Sequence, residues 1–166
     1  MTKTKSFDIE AYVERITTGP CFICEILASN PDFPHHTIYE DDQAIVFLNA
    51  YPMLPGYTLV APREHREQVT GDFTQAEYLQ LQALIYRVAE AVRQVVPTER
   101  VYLLSLGSQQ GNSHVHWHIA PLSPGIPFAE QQLEALRAEN GILDLSEEEM
   151  SSLAAQIRAA LAQIDA

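Results

Sequence analysis

Residues 114–120 read His-Val-His-Trp-His-Ile-Ala, an alternation of imidazole and apolar side chains. Because side chains alternate between the two faces of a β-strand, this pattern predicts a strand with His114, His116 and His118 on one face, about 6.6–7 Å apart. The opposite face, which the pattern places in a core, carries Val115, Trp117 and Ile119. Packing alone seldom requires three imidazoles in register, so the run predicts a functional site on a sheet.

The rest of the chain combines short strand patterns with longer helical ones. Strand patterns occupy 37–40, 44–48, 57–61 and 101–106, and helical periodicity occupies 7–16, 74–96, 128–139 and 146–164. Pro121 is expected to end the histidine strand, and Ser146 with Glu149 forms a capping box for the last helix. Because strands and helices are segregated, this order predicts an α+β protein: an antiparallel sheet of about five strands with a long helix packed on it.

The formal net charge of −12, from 22 acidic and 10 basic side chains, argues against an extended nucleic-acid surface, which needs clustered Lys and Arg. A small anionic ligand is still compatible with this charge, because backbone N–H groups and histidines can hold it locally. No apolar run approaches the roughly 20 residues that cross a bilayer, and residues 1–6 lack the apolar stretch of a secretory signal. The sequence therefore predicts a cytoplasmic protein without a membrane segment.

Cys21 and Cys24, the two cysteines of the chain, are separated by two residues. In a cytoplasmic protein this spacing indicates metal ligation or redox chemistry more often than a structural disulfide. A redox dithiol usually opens a helix within a thioredoxin-like pattern, which the flanking sequence does not show. Two buried apolar cysteines are a third interpretation, and a metal site needs two further ligands.

Two chemistries fit the histidine run itself. Imidazoles on a strand can chelate a catalytic metal, or one of them can act as a nucleophile toward phosphorus or as a general acid–base. A two-histidine catalytic metal site commonly uses a nearby carboxylate, and no Asp or Glu lies within ten residues of any of the three histidines. The preceding loop, 107–113, offers uncharged Gly, Ser, Gln and Asn donors that suit phosphate oxygens.

The run resembles the signature of the histidine-triad (HIT) family, His-φ-His-φ-His-φ-φ with φ apolar, and satisfies it at every position. The order of the flanking segments is also similar, from 22–26 through 44–49 and 55–62 to the triad and Pro121. The resemblance covers about residues 20–122, which are interpreted as a HIT domain with helical extensions at 1–19 and 123–166. It implies a nucleotide hydrolase or nucleotidyl transferase that cleaves at an α-phosphate, and homodimers.

The resemblance implies roles for individual residues. His116 matches the nucleophile that forms a nucleotidyl-histidine intermediate, and His118 matches a histidine that contacts phosphate or helps the leaving group. Asn49 matches the position that contacts ribose hydroxyls. Base-pocket candidates, which ordinary core packing explains equally well, are Phe22, Ile23 and Phe47. Candidate phosphate donors are Gln110, Asn112 and Ser113.

In the zinc-containing branch of this family, two cysteines, a later histidine and the first triad histidine hold the metal. The matching positions here are Cys21, Cys24, His65 and His114. A Cys₂His₂ set makes a closed tetrahedral site, so the zinc would be structural. His35 and His36 are expected to be solvent-facing loop residues.

The chain departs from the family pattern at two places. Tyr57 stands where many members have a histidine, and the loop before the triad is shorter than the common form by about two residues, so its donors do not align with the usual ones. Substrates compatible with the resemblance include a dinucleoside polyphosphate, a nucleoside phosphoramidate and an adenylyl sulfate. Two alternatives are a metal-dependent hydrolase with the triad as ligands and a nucleotide-binding protein with little turnover.

Overall fold

The computed structural model describes residues 3–107 and 112–164 of the 166-residue chain. The strands are β1 (Thr4–Lys5), β2 (Thr37–Glu40), β3 (Ala44–Leu48), β4 (Thr58–Pro62), β5 (Arg100–Ser105), β6 (Trp117–Leu122) and β7 (Ile142–Leu143). The α-helices are α1 (Ile9–Thr18), α2 (Phe22–Leu27), α3 (Gln75–Val95) and α4 (Glu147–Ile164). This arrangement confirms the predicted α+β class and the long helix.

Five strands form one antiparallel sheet in the order β2-β3-β4-β6-β5, as predicted. One face of the sheet packs against α3 and α4, and the other face packs against α2 and the loops beside it. Alternate residues of β3 divide between these two layers: Val46 lies in the helix-covered layer, whereas Phe47 lies in the other. Every residue of β3 and β4 is buried for this reason.

The long helix α3 begins at a capping box that satisfies its first N–H groups. The Thr74 side chain accepts a hydrogen bond from the backbone N–H of Glu77, and the Glu77 carboxylate accepts one from the backbone N–H of Thr74. The helix ends before Pro97, which cannot continue it. None of the helices in the described ranges is long and apolar enough to cross a lipid bilayer.

The prediction of a helix over 128–139 is wrong. The segment forms three short 3₁₀ turns, at Phe128–Glu130, Glu134–Leu136 and Ala138–Asn140. Phe128 and Leu133 are 79% and 69% exposed and only Leu136 packs partly against the core, which is too little apolar burial to stabilise an α-helix. The predicted capping box of α4 is confirmed, since Ser146 and Glu149 exchange hydrogen bonds.

A two-stranded sheet joins the N-terminal segment to the segment that precedes α4, and the sequence patterns did not reveal it. β1 pairs antiparallel with β7, with Thr4 opposite Leu143. Strands of two residues carry too short an alternation to be recognised from sequence. The helix α2 was also not predicted, because its six residues are too few to show a helical period.

The histidine strand differs from its predicted range. Ladder pairing starts at Trp117, after His114 and His116, and continues through Pro121, so the prediction that this proline ends the strand is wrong. Proline is tolerated because the pairing of β6 with β4 stops at Ile119, and no hydrogen bond to β4 is lost at Pro121. The alternation itself is confirmed, since the helix-covered core contains Val115, Trp117 and Ile119.

Candidate active site and metal centre

The imidazole of His116 is held in one tautomer. Its Nδ1 lies 2.8 Å from the backbone carbonyl oxygen of His114, which can only accept, so Nδ1 carries the proton. Nε2 is then the ring nitrogen that keeps a lone pair. The side chain is 4% exposed, and burial lowers the pKa of His116, which favours the neutral ring. A neutral imidazole with a free Nε2 lone pair is the nucleophilic form.

The ring of His118 lies beside that of His116, with 4.8 Å between the ring centroids. Its Nδ1 is 3.0 Å from the Tyr57 hydroxyl. Its Nε2 is buried and has no hydrogen-bond partner among the described residues. Burial, with a smaller contribution from His116, lowers the pKa of His118 to about 3. A buried nitrogen without a hydrogen bond destabilises the folded state unless a ligand supplies the partner.

The loop before the triad approaches His116 closely. Gly107 adopts a φ of +146°, and a Cβ at this position would lie 2.9 Å from the backbone oxygen of Asn112. A larger residue is therefore excluded here. Asn112 and Ser113, two of the candidate phosphate donors, are half-buried at the end of this loop. The third candidate, Gln110, lies outside the described residues.

The structure separates the nucleotide-contact candidates. The Phe22 ring meets His116 edge-on, with 5.5 Å between centroids. Ile23 and Phe47 are 0% and 2% exposed, within the layer that α2 covers. The Asn49 side-chain oxygen accepts a hydrogen bond from the backbone N–H of Tyr51, at 2.9 Å. Phe22 is thus the candidate that directly contacts the triad.

Four side chains converge on a position that could hold a metal ion. The ligand atoms of Cys21, Cys24, His65 and His114 all lie within 4.8 Å of one another. The Cys24 sulfur is 3.2 Å from Nδ1 of His65 and 3.6 Å from Nδ1 of His114. Ligands about 2.0–2.3 Å from a tetrahedral centre are separated by roughly 3.3–3.8 Å, a range close to the two distances from Cys24 to the histidines.

The outer nitrogens of both histidines have partners that orient the rings. Nε2 of His114 donates to the backbone oxygen of Pro62 at 2.8 Å, and Nε2 of His65 is 3.2 Å from a Glu67 carboxylate oxygen. Carbonyl and carboxylate partners of this kind commonly fix metal-binding histidines. Burial, followed by the side chain of Cys21, raises the pKa of the Cys24 thiol to about 11, so a thiolate here needs a neighbouring cation.

The described part of the chain contains no such grouping at His116 and His118. The Nδ1 atoms of these two residues are directed to a carbonyl and to a hydroxyl, respectively. The arrangement does not favour a metal held by all three triad histidines, because His114 faces a different set of ligands.

Several contributors to the site were not identified from the sequence. The Pro62 carbonyl and the Glu67 carboxylate were missed, because backbone acceptors and distant partners leave no motif. Tyr57 was noted only as a departure from the family pattern. The expectation that His35 and His36 face solvent is wrong: both are half-buried, His35 against Phe47 and His36 with Nε2 3.4 Å from a Glu147 oxygen.

Comparison with known families identifies the chain. The HIT domain model matches residues 30–125, and the chain therefore belongs to the HIT family. A HIT-like protein of Mycoplasma genitalium is 31% identical over 115 residues, which are 66% of this chain and 77% of that protein. The protein named hit of Bacillus subtilis is 34% identical over 104 residues, which are 61% of this chain and 70% of the relative.

Solved structures share the fold. A hypothetical histidine triad nucleotide-binding protein of Sulfolobus tokodaii superposes with a TM-score of 0.69 at 23% identity, covering 87% of this chain and 94% of that one. A zinc-bound histidine triad family protein of Mycobacterium smegmatis superposes with a TM-score of 0.63 at 22% identity, covering 87% and 95%. At these identities the likeness establishes the HIT fold.

Proposed function

We propose that this protein is a nucleotide hydrolase or nucleotidyl transferase that cleaves at the α-phosphate of a nucleotide conjugate. The observation that carries the proposal is the pair of oriented imidazoles. His116 presents an Nε2 lone pair, and the neighbouring His118 presents a buried Nε2 without a hydrogen-bond partner among the described residues. A nucleophile beside an unsatisfied polar atom suits attack on a phosphoryl group.

The proposed reaction has two displacements at phosphorus. In the first, the His116 Nε2 lone pair forms a P–N bond, and the bond from phosphorus to the leaving group breaks with its electron pair on that group. In the second, a water oxygen attacks, the P–N bond breaks, and the electron pair returns to Nε2 while the water loses a proton to solvent. Transfer to another acceptor follows if a second nucleophile replaces water. The His114 carbonyl holds the Nδ1 proton of His116 throughout.

The remaining candidates are assigned to substrate binding. Phe22 lies at the edge of the His116 ring and would contact the nucleoside. Asn49 would reach the ribose with its side-chain N–H₂, because its oxygen already accepts from Tyr51. Asn112 and Ser113, together with Gln110, would donate to the phosphate oxygens. Ile23 and Phe47 would form the inner wall of the base pocket.

A substrate panel tests the proposed activity. Diadenosine tetraphosphate, an adenosine phosphoramidate and adenylyl sulfate represent three leaving groups on the same nucleotide. We expect AMP to be released from at least one of them, as measured by chromatography of the nucleotide products. Nucleotide-induced thermal stabilisation without AMP release from any conjugate would instead support a binding protein with little turnover.

We further propose that the four-residue group Cys21, Cys24, His65 and His114 holds a structural zinc ion. The donor set leaves no open coordination position for substrate, and soft thiolates with imidazoles suit Zn²⁺. Because His114 belongs both to this group and to the triad segment, the ion would tie α2 to the segment that carries His116 and leads into β6. Its contribution would be to position the catalytic segment.

We also propose a homodimer formed through α3 and the edge strand β5. Both elements present exposed apolar side chains, with Leu79 and Tyr86 on α3 and Leu103 on β5. An unpaired strand edge with apolar neighbours is a surface that proteins usually cover. Sedimentation velocity at micromolar concentration is expected to give a mass of two chains. A monomer under these conditions would contradict the proposal.

A further inference from the structure

Tyr57 and His118 form a buried contact that takes no part in the two displacements at phosphorus. Tyr57 precedes β4 and is 2% exposed, within the layer that α2 covers. Its hydroxyl meets Nδ1 of His118 at 3.0 Å, and the two rings are nearly perpendicular, with an interplanar angle of 87°. The contact lies on the side of the imidazole opposite the unpartnered Nε2. Whether the hydroxyl donates to Nδ1 or accepts from it therefore determines whether Nε2 carries a hydrogen or a lone pair.

We propose that Tyr57 is a positioning residue that donates its hydroxyl hydrogen to Nδ1 of His118, so that Nε2 carries a hydrogen directed at the substrate. His118 then donates a hydrogen bond to the phosphoryl group but does not supply a proton to the leaving group. The substrate would therefore be an anhydride, whose leaving group departs as a stable anion. This inference rests on the proposed function.

The direction of the hydrogen bond follows from the charge of the ligand. A neutral imidazole has one N–H and one bare nitrogen. If Nδ1 carried the hydrogen, the bare Nε2 lone pair would face the phosphoryl oxygens, which are negative, and would repel them. With the hydrogen on Nε2, this buried nitrogen donates to a phosphoryl oxygen of the substrate, and the Nδ1 lone pair accepts from the Tyr57 hydroxyl. An anionic substrate therefore selects the second arrangement.

The same contact keeps a transferable proton away from the leaving group. Loss of the Nε2 hydrogen from neutral His118 would leave an imidazolate, or would require Tyr57 to become a phenolate. Burial, with a smaller contribution from Tyr12, raises the pKa of Tyr57 to about 12, and burial holds the His118 ring neutral. The other imidazole facing His118 is that of His116, whose Nδ1 hydrogen is used by the His114 carbonyl.

Leaving groups differ in whether they need this proton. When a phosphoanhydride or phosphosulfate bond breaks, the electron pair rests on an oxygen that is stable as an anion at neutral pH. When a phosphoramidate bond breaks, the pair rests on nitrogen, which must take up a proton. Without a general acid, which typically contributes 10²–10⁴-fold, the second reaction is slow. The geometry at Tyr57 thus favours dinucleoside polyphosphates or an adenylyl sulfate over phosphoramidates.

The hydrogen bond can be tested without turnover. ¹⁵N spectra of histidine-labelled protein distinguish a protonated ring nitrogen from a bare one, and His118→Asn identifies the resonances of His118. We expect a bare Nδ1 and a protonated Nε2 at neutral pH in the native chain. In Tyr57→Phe we expect this preference to weaken, whereas Tyr39→Phe, which removes a hydroxyl bound to Asp41 in the β2–β3 turn, should leave it unchanged. A protonated Nδ1 of His118 in the native protein would overturn the assignment, whether or not Tyr57→Phe folds.

The leaving-group preference is tested by kinetics on two donors of the same nucleotide. For the native protein we expect kcat/KM for diadenosine tetraphosphate to exceed that for an adenosine phosphoramidate by about 100-fold or more. In Tyr57→Phe we expect kcat for the anhydride to fall about tenfold with a smaller change in KM. The reason is that this variant lacks one hydrogen bond that orients His118.

The outcomes separate the two proposals. Preferential release of AMP from the phosphoramidate would overturn the leaving-group inference while supporting the proposed function. Failure to release AMP from any of the three conjugates, adenylyl sulfate included, would overturn the proposed function and the leaving-group inference together. The spectra of the native protein would still decide the Tyr57–His118 hydrogen bond.

Discussion

His116→Ala is expected to reduce the release of AMP from the preferred conjugate by at least about 10³-fold, because no other described side chain presents a lone pair at the same position. Covalent catalysis depends on one nucleophile, and removing it leaves only binding and electrostatic stabilisation. The measurement is the rate of AMP formation under saturating substrate. The loss should appear in kcat, since the proposed contacts of Phe22 and Asn49 with the nucleoside would be retained.

Rapid quenching in alkaline denaturant adds a direct test of the intermediate, because acid would cleave the P–N bond of a nucleotidyl-histidine. In the native protein, a conjugate with labelled nucleotide should leave label on the chain, and peptide mapping should place it at His116. His36→Ala is the matched control, because His36 contacts Glu147 on α4 and takes no part in the proposed chemistry. It is expected to retain activity and labelling. Full activity of His116→Ala, or label on another residue, would contradict the mechanism.

Cys24→Ser is expected to remove the bound metal and to destabilise the protein. The Cys24 sulfur is one of the four proposed ligand atoms and lies within 3.6 Å of both histidine Nδ1 atoms. An ion that binds only the folded chain stabilises it by about 4 kcal/mol when its free concentration is about 1,000 times Kd. We therefore expect about one zinc per native chain, almost none in the variant, and a lower free energy of unfolding.

The triad variant supplies the control for the metal. His118→Asn keeps all four proposed ligands and is expected to retain the full zinc content. A chelator should lower the melting temperature of the native protein but should hardly affect that of Cys24→Ser. Metal content that persists in Cys24→Ser but disappears in His118→Asn would instead indicate a metal at the triad, and the structural role would be wrong.

Patterns confined to a few neighbouring residues were predicted well. The alternation of 114–120 identified the core face and the histidine face, and the three- and four-residue spacing of apolar side chains identified α3. These predictions succeeded because a strand or a helix repeats its geometry every two or 3.6 residues. The segment 128–139 showed the limit of this reasoning, since helix-forming residues without a buried face formed only 3₁₀ turns.

The sequence by itself determined the α+β class, the HIT signature and the candidate residues of the site, because each depends on residue type and local spacing. Only the tertiary structure decided which atoms meet. It brought Cys24 to His65 and His114 across 41 and 90 residues, and it placed the Tyr57 hydroxyl against His118 across 61. Such contacts depend on how distant strands pair and pack, and no local period encodes them. The three histidines of one run are therefore distinguished by their partners: His114 faces Cys24 and His65, His116 faces a carbonyl, and His118 faces a tyrosine.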